Sequence, residues 1–473
     1  MNFWDSNAWG FLLLIGVLLF SMLVANLLKK SIPFLRVSLI PTSVLGGILL
    51  LIVSVVYTAI TGSNLFDASL FGEYTATVDG ESVTVHGRDL LEIVTYHALG
   101  IGFVATAFKP EKKQQTKQRS KEIFDTGVTT VSTYLLQAVL GLSVTFIAAL
   151  ILPDFFKAAG ILLPFGYGQG TGQALNYGGI YQSEYGFEGG KNFGLTIAAL
   201  GFLSASVGGV IHLNVLRKKG KVKLTESDVV NAINSEEIQS HDEVPMNGSI
   251  DKMTIQIAMV LCSYALAYAA MWGLSALIPS FRATLFGFNF LFGVLFAVLI
   301  QATLRLLKKK QIVKKEYVNP FLMKRIGGFF FDVMIVAGIG AIRMELIKDN
   351  WIVLLILGIV GAVATYCYNL FVAKTLFKDY AEEQFLVMYG MLTGTASTGM
   401  ILLREIDPEF KTCASENLVY QNFPAIVFGF PMMLLATLCP KNPYLTFGII
   451  VAFFIAMNVI LFRSKIFKKR KRA

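Results

Sequence analysis

Apolar runs of about 20 residues recur from one end of the chain to the other, separated by short polar or basic stretches. Each run is long enough to cross roughly 30 Å of hydrocarbon. The pattern predicts spans at about 10–28, 38–60, 90–108, 125–151 and 192–215. Further spans follow at about 253–277, 284–306, 327–346, 351–374, 421–439 and 444–462. Two more apolar segments are interrupted by small residues. One, about 158–183, contains Gly166–Gly172 (GYGQGTG); the other, about 383–404, contains Gly394–Gly399 (GTASTG). Each glycine in a helix interior costs roughly 1 kcal/mol against alanine. These two segments are therefore predicted as re-entrant hairpins whose tips meet near the membrane midplane. Non-helical backbone survives at that depth only where protein or a water-filled cavity satisfies its N–H and C=O groups. Outside the membrane, GEYTATVDGESVTVHG has the alternation and Asp-Gly turn of a small β-hairpin.

Composition agrees with the pattern: 55% of residues are hydrophobic and only 15% charged, which excludes a soluble chain of 473 residues. The formal charge of +10 does not indicate nucleic acid, because the lysines and arginines cluster in short loops between spans. Four cysteines, Cys262, Cys367, Cys413 and Cys439, have no paired spacing, which argues against a disulfide framework or metal site. The first run ends at Lys29-Lys30 without a small-residue cleavage site, so it reads as a true span. Basic loops at 29–36, 109–121, 217–223 and 308–325, and the tail RSKIFKKRKRA, are expected in the cytoplasm; the acidic loop 61–89 is expected outside. Eleven spans with the N-terminus outside and the C-terminus cytoplasmic satisfy all of these, in a multi-pass protein of the cell membrane. The fold expected is an all-α polytopic membrane protein of two inverted five-helix repeats, each with a re-entrant hairpin, plus an extra C-terminal helix. The first repeat covers 1–216, a polar cytoplasmic linker 217–252, the second repeat 253–440, and the extra helix with its tail 441–473. Inverted halves with glycine-interrupted segments in corresponding places point to a secondary transporter with its site between the hairpins.

The tips define the candidate chemistry. At each, the second arm begins with unpaired N–H groups and roughly half a positive charge from the helix dipole. Two such ends make a site for an anion, most simply a carboxylate. Gly170, Thr171, Gly172, Gln173 and Asn176 on the first hairpin, and Ser397 and Thr398 on the second, are candidate substrate contacts. Gln169, Thr171, Thr395 and Ser397 offer oxygen to a hard cation, Na⁺. Arg404, seven residues beyond Ser397, is either a second-carboxylate contact or a cytoplasmic anchor beside Glu405 and Asp407. Asn422, in Gln421-Asn422-Phe423-Pro424, is a candidate substrate or ion contact. The competing reading is that small residues in membrane helices serve tight packing alone. Asp125 and Asp332 sit one turn inside their spans beside basic residues, and interfacial pairing competes there with function. His97, mid-span, reads as a satisfied packing histidine or a proton relay. Lys191 and Glu188 read as solvated residues flanking the first hairpin.

Two segments carry a family resemblance. GYGQGTGQALNYGGIYQSEYGFEGG, followed by NFGLTIAALGFLSASVGGVI, resembles the glycine-rich loop and following helix of the bacterial sodium/glutamate symporter family. YGMLTGTASTGMILLREIDPEF is similar to that family's C-terminal region. The resemblance implies Na⁺-coupled glutamate uptake, a homodimer and elevator-like movement. It implies that spans 3–5 and 8–10 move with both hairpins against a scaffold and dimer contact made by spans 1–2 and 6–7. The family's loop usually reads Gly-Gly-His-Gly-Thr. Here Tyr167 replaces the second glycine and Gln169 the histidine, keeping a hydrogen-bonding group but no proton carrier. The expected function is a Na⁺-coupled symporter of glutamate in the lipid bilayer. The nearest alternative is the same machine moving another carboxylate, a dicarboxylate or hydroxycarboxylate. A membrane-embedded enzyme would need His, Asp or Glu converging near one membrane face; hairpins from opposite faces also occur in passive channels, but two inverted halves with cation-liganding tips suit alternating access better.

Overall fold

The structure is a computed structural model that describes residues 4, 6–37, 40–78, 81–108, 117–220, 250–279, 282–346, 350–407 and 411–466. Most of the expected central linker, the Asp79–Gly80 turn, most of the basic loop 109–121 and the end of the basic tail lie outside these residues. The protein is an all-α polytopic membrane protein. Its long helices are α1 Ser6–Ser31, α2 Thr42–Thr61, α3 Gly87–Ala107 and α4 Lys117–Ile151. The first hairpin is α5 Leu162–Gln169 and α6 Thr171–Tyr185, preceded by a 3₁₀ turn at Lys157–Ile161. Then come α7 Gly190–Lys218, α8 Lys252–Leu277, α9 Asn289–Lys309, α10 Pro320–Gly340 and α11 Trp351–Leu376. The second hairpin is α12 Ala381–Thr393 and α13 Ala396–Arg404, followed by α14 Ala414–Tyr420, α15 Asn422–Leu438 and α16 Pro443–Leu461. Outside the bundle, Tyr74–Val78 pairs antiparallel with Glu81–Val85, with Val78 opposite Glu81, as the alternation requires.

Among the described residues, nine helices are long and apolar enough to cross a bilayer, ten if the bent pair α14–α15 is one span. The expected eighth span, α10, is not among the nine; it carries Lys324, Arg325 and Asp332. The helices sort into two bodies. In one, α10 packs along α3 and α2, α1 along α2, and α9 along α8 and α3. In the other, both hairpins pack among α4, α7 and α11, with α15 and α16 against α4. The packing therefore differs from the expected grouping. The third and eighth spans, α3 and α10, lie with α1, α2, α8 and α9 rather than with the hairpins. The reason is contact surface: small residues on α3 seat large side chains of the first body. Gly102, for instance, lies directly under Phe331 of α10.

The hairpin body is tied by tyrosines. A buried tyrosine packs its ring in the apolar core but must find a partner for its hydroxyl. Tyr177, Tyr181 and Tyr185 recur every four residues, so they line one face of α6. Their hydroxyls donate to the carbonyls of Met433 (3.1 Å), Ala436 (2.6 Å) and Thr437 (3.3 Å) on α15. Pro431 lies inside α15 on the same stretch. Tyr167 of α5 donates to the Gly358 carbonyl of α11 at 2.6 Å, and Tyr389 of α12 to the Ser204 carbonyl of α7 at 2.9 Å.

Candidate functional site

The two glycine-rich stretches form hairpin tips, but the break at each is shorter than expected. Gly166 and Gly168 lie inside α5, and only Gly170 leaves the helix, with φ +83°. That left-handed region is open to glycine without a steric penalty. Gly168 stays helical because it is a packing glycine: a side chain there would collide with the Tyr134 ring, whose hydroxyl donates to the Gly168 carbonyl at 3.1 Å. The arms fold back on one another, with Phe165 and Tyr177 stacked at a ring separation of 4.0 Å. At the second tip the break is Gly394–Thr395. Thr395 is the cap of α13; its hydroxyl accepts from the Thr398 N–H at 3.3 Å. This arrangement satisfies one of the donors that an open helix start would leave unpaired.

The first tip lies at the seam between the two bodies. Gly170 and Thr171 face α10: the Met334 side chain is the nearest group to Gly170, Thr171 Oγ1 lies 3.5 Å from the Met334 carbonyl, and Thr171 packs on Gly338. Gly172 abuts Leu99 of α3. Asn176, half-buried, donates to the Gly287 carbonyl at 2.6 Å. Gln169 ends α5 and is partly exposed. Gln173, in the first turn of α6, is 1% exposed, and neither its amide nitrogen nor its amide oxygen has a hydrogen-bond partner among the described residues. Buried polar side-chain atoms are in large majority bonded, and an unmet buried group costs about 1–3 kcal/mol. An amide open on both its donor and its acceptor side is the candidate ligand contact at this tip.

The other expected contacts are spread more widely. Thr398 is fully buried, with its hydroxyl 3.2 Å from that of Thr395. Ser397 lies in the first turn of α13; its side chain is outside the described residues. Arg404 ends α13 about two turns away and is exposed, so it does not share the tip. Asn422 is exposed as well. Its neighbour Gln421 points inward instead, accepting from the Thr130 hydroxyl at 2.8 Å. The chain enters the bent α14–α15 junction here, and one residue's difference in position reverses which amide faces the core. The second hairpin's far end is held by Asp407. Burial pushes its carboxyl upward, but the Thr412 hydroxyl and the N–H groups of Thr412 and Lys411 outweigh it and hold it below the usual carboxylate range.

Charges away from the tips are more engaged than the sequence indicates. Lys191 is not simply solvated; its Nζ lies 2.6 Å from Glu92 Oε2, and Arg343 bonds both Glu92 (3.3 Å) and Asp89 (2.8 Å). Asn192 also bonds the backbone N–H and C=O of Arg343. This cluster joins α7 of the hairpin body to α3 and the end of α10. Asp125 pairs with Arg463 at 2.7 Å, and His97 bonds the Tyr264 hydroxyl at 3.0 Å. Asp332 is exposed. The sequence reading missed His212, which is 4% exposed and lies between the Tyr366 hydroxyl (2.7 Å) and Glu382 (3.0 Å). Its signal was a histidine three residues inside a predicted span end. A cleft of about 510 Å³ opens between α7 and α11, but its walls include Leu203, Val207, Ile211, Leu355 and Ile359, a lining that suits lipid better than an acidic solute.

No family model matches the chain, and no curated protein matches it in sequence.

Proposed function

We propose that the protein is a Na⁺-coupled secondary transporter, not an enzyme, that imports glutamate or a similar acidic solute by alternating access. The observation that carries this reading is the buried Gln173 amide, open on both its donor and its acceptor side, beside the Gly170 tip at the seam. An amino acid presents both complements, a carboxylate to accept and an ammonium to donate. The start of α6 adds unpaired N–H groups and the positive end of a helix dipole, which favour the carboxylate.

The packing supports the same reading. Each half of the chain supplies three helices to one body (α1–α3 and α8–α10) and a hairpin with its neighbours to the other. Such a division suits eleven spans in two inverted repeats, with re-entrant hairpins, a hairpin body that moves and a six-helix scaffold. The resemblance to sodium/glutamate symporters adds the homodimer, formed through the scaffold in the cell membrane, with the N-terminus outside. A second carboxylate class, dicarboxylates or hydroxycarboxylates, remains the nearest alternative because tip N–H groups recognise any carboxylate.

Uptake of labelled L-glutamate into proteoliposomes, with and without an inward Na⁺ gradient and in competition with aspartate, citrate and glutamine, tests the proposal. Na⁺-driven glutamate uptake is expected. Uptake suppressed only by citrate changes the solute, and no gradient-dependent uptake of any acid removes the symporter reading.

A further inference from the structure

Deep in the hairpin body, α4 crosses α11, and the crossing is polar. Thr133 and Gln137 of α4 meet Thr365 and Asn369 of α11, and all four are at most 1% exposed. The hydrogen bonds can be followed to their ends. Gln137 Nε2 donates to Thr365 Oγ1 (2.8 Å) and to the Leu392 carbonyl in the last turn of α12 (2.9 Å). Asn369 Nδ2 donates to the Thr365 carbonyl (2.9 Å) and to Thr133 Oγ1 (3.4 Å). The Thr133 hydroxyl proton goes to the Thr129 carbonyl at 2.8 Å. Each amide nitrogen has thus spent both its protons, the full complement of a side-chain amide. Neither amide can be turned over, because the Leu392 and Thr365 carbonyls accept only. The amide oxygens, Gln137 Oε1 and Asn369 Oδ1, are fixed in place and have no hydrogen-bond partner among the described residues.

We infer that this crossing binds a dehydrated monovalent cation, Na⁺, through Gln137 Oε1 and Asn369 Oδ1, apart from the hairpin tips. Two fixed amide oxygens, each without a hydrogen-bond donor among the described residues, are ligands for a hard cation. The bonded groups of the cluster include no carboxylate, the ligand that divalent ions recruit. The C-terminal end of α12 brings the negative end of a helix dipole to the same place, an arrangement that holds coupling ions in broken-helix transporters. All these groups belong to the hairpin body, so the ion travels with it. The inference rests on the Na⁺-coupled reading above but assigns the ion to residues that reading does not use.

The test uses the full chain in nanodiscs. Thermal melting is followed as NaCl replaces choline chloride or KCl at constant ionic strength, with Na⁺-driven glutamate uptake measured in parallel. A ion that binds only the folded state raises its melting temperature with concentration. The wild type is expected to respond to Na⁺ and not to choline. Gln137→Leu and Asn369→Leu are expected to weaken the apparent Na⁺ affinity roughly tenfold or more, with melting in choline lowered because the Leu392 and Thr365 oxygens lose their donors. Should the leucine variants fail to fold, Gln137→Ala and Asn369→Ala carry the test: each removes the amide oxygen without adding bulk, and an unchanged Na⁺ affinity overturns the site. A Na⁺ response identical in the wild type and both leucine variants also overturns the site, while the transport reading stands. A Na⁺ response lost in the leucine variants, without glutamate uptake by the wild type, supports the site and removes glutamate as solute. Absence of both Na⁺ stabilisation and uptake overturns the site and the transport reading together.

Discussion

The two hairpins have the same plan and different surroundings. The first ends at the seam, where Thr171, Gly172 and Asn176 touch helices of the other body. The second ends within its own body: Gly394 lies against Ala205, and the Leu392 carbonyl is held by Gln137. The first tip leaves Gln173 unpaired, whereas the second closes its helix start with Thr395. A tip that is already capped has less to offer a ligand. The difference teaches that matching motifs in matching places need not have the same surroundings: the first tip leaves a buried amide open at the seam, and the second is capped and packed within its own body.

The largest effect is expected from Gly170→Leu. A leucine at φ +83° adds strain of about 1–3 kcal/mol and places bulk at the seam, so uptake should vanish while the protein still elutes as a folded species. Uptake at the wild-type level would dissolve the contrast between the tips. Gln173→Leu comes next. It should weaken the apparent substrate affinity roughly tenfold or more, yet leave the melting temperature unchanged or raised, since an unmet buried amide is removed. A variant that loses stability but not affinity would make Gln173 a packing residue.

Glu92→Gln examines the seam itself. It breaks the bridges to Lys191 and Arg343, and faster deuterium uptake is expected at the start of α3 and the end of α10. Unaltered exchange would mean that the charge cluster does not hold the bodies together. The second hairpin should respond in stability more than in transport. Thr395→Val removes a helix cap worth about 1 kcal/mol, to be read by denaturant unfolding beside an uptake assay; a loss of uptake exceeding the loss of stability would give this tip a receiving role too. Asp407→Asn is the smallest. The folded carboxyl is held below its ordinary value, so its stabilisation is present above the ordinary carboxyl range and is lost as pH falls through the folded value. The variant should melt below the wild type at neutral pH and converge with it in acid; a difference that persists in acid would assign the effect to packing.

The apolar runs determined the helices because a bilayer demands about 20 apolar residues wherever it is crossed, and α1, α2, α7 and α11 lie where those runs were read. Glycine and threonine marked both hairpins for an equally local reason: backbone preferences belong to single residues. The alternating stretch before Arg88 marked its two strands, and the four-residue tyrosine spacing that ties α6 to α15 stands in the sequence as well, though its partners do not. Only the tertiary structure decided that α3 and α10 leave the hairpins' company, that Gln421 faces inward and Asn422 outward, and that Lys191 meets Glu92. It alone set Gln137 against Thr365, more than two hundred residues away. Sequence records which groups can donate and accept; which of them remain unsatisfied depends on neighbours brought from the other half of the chain.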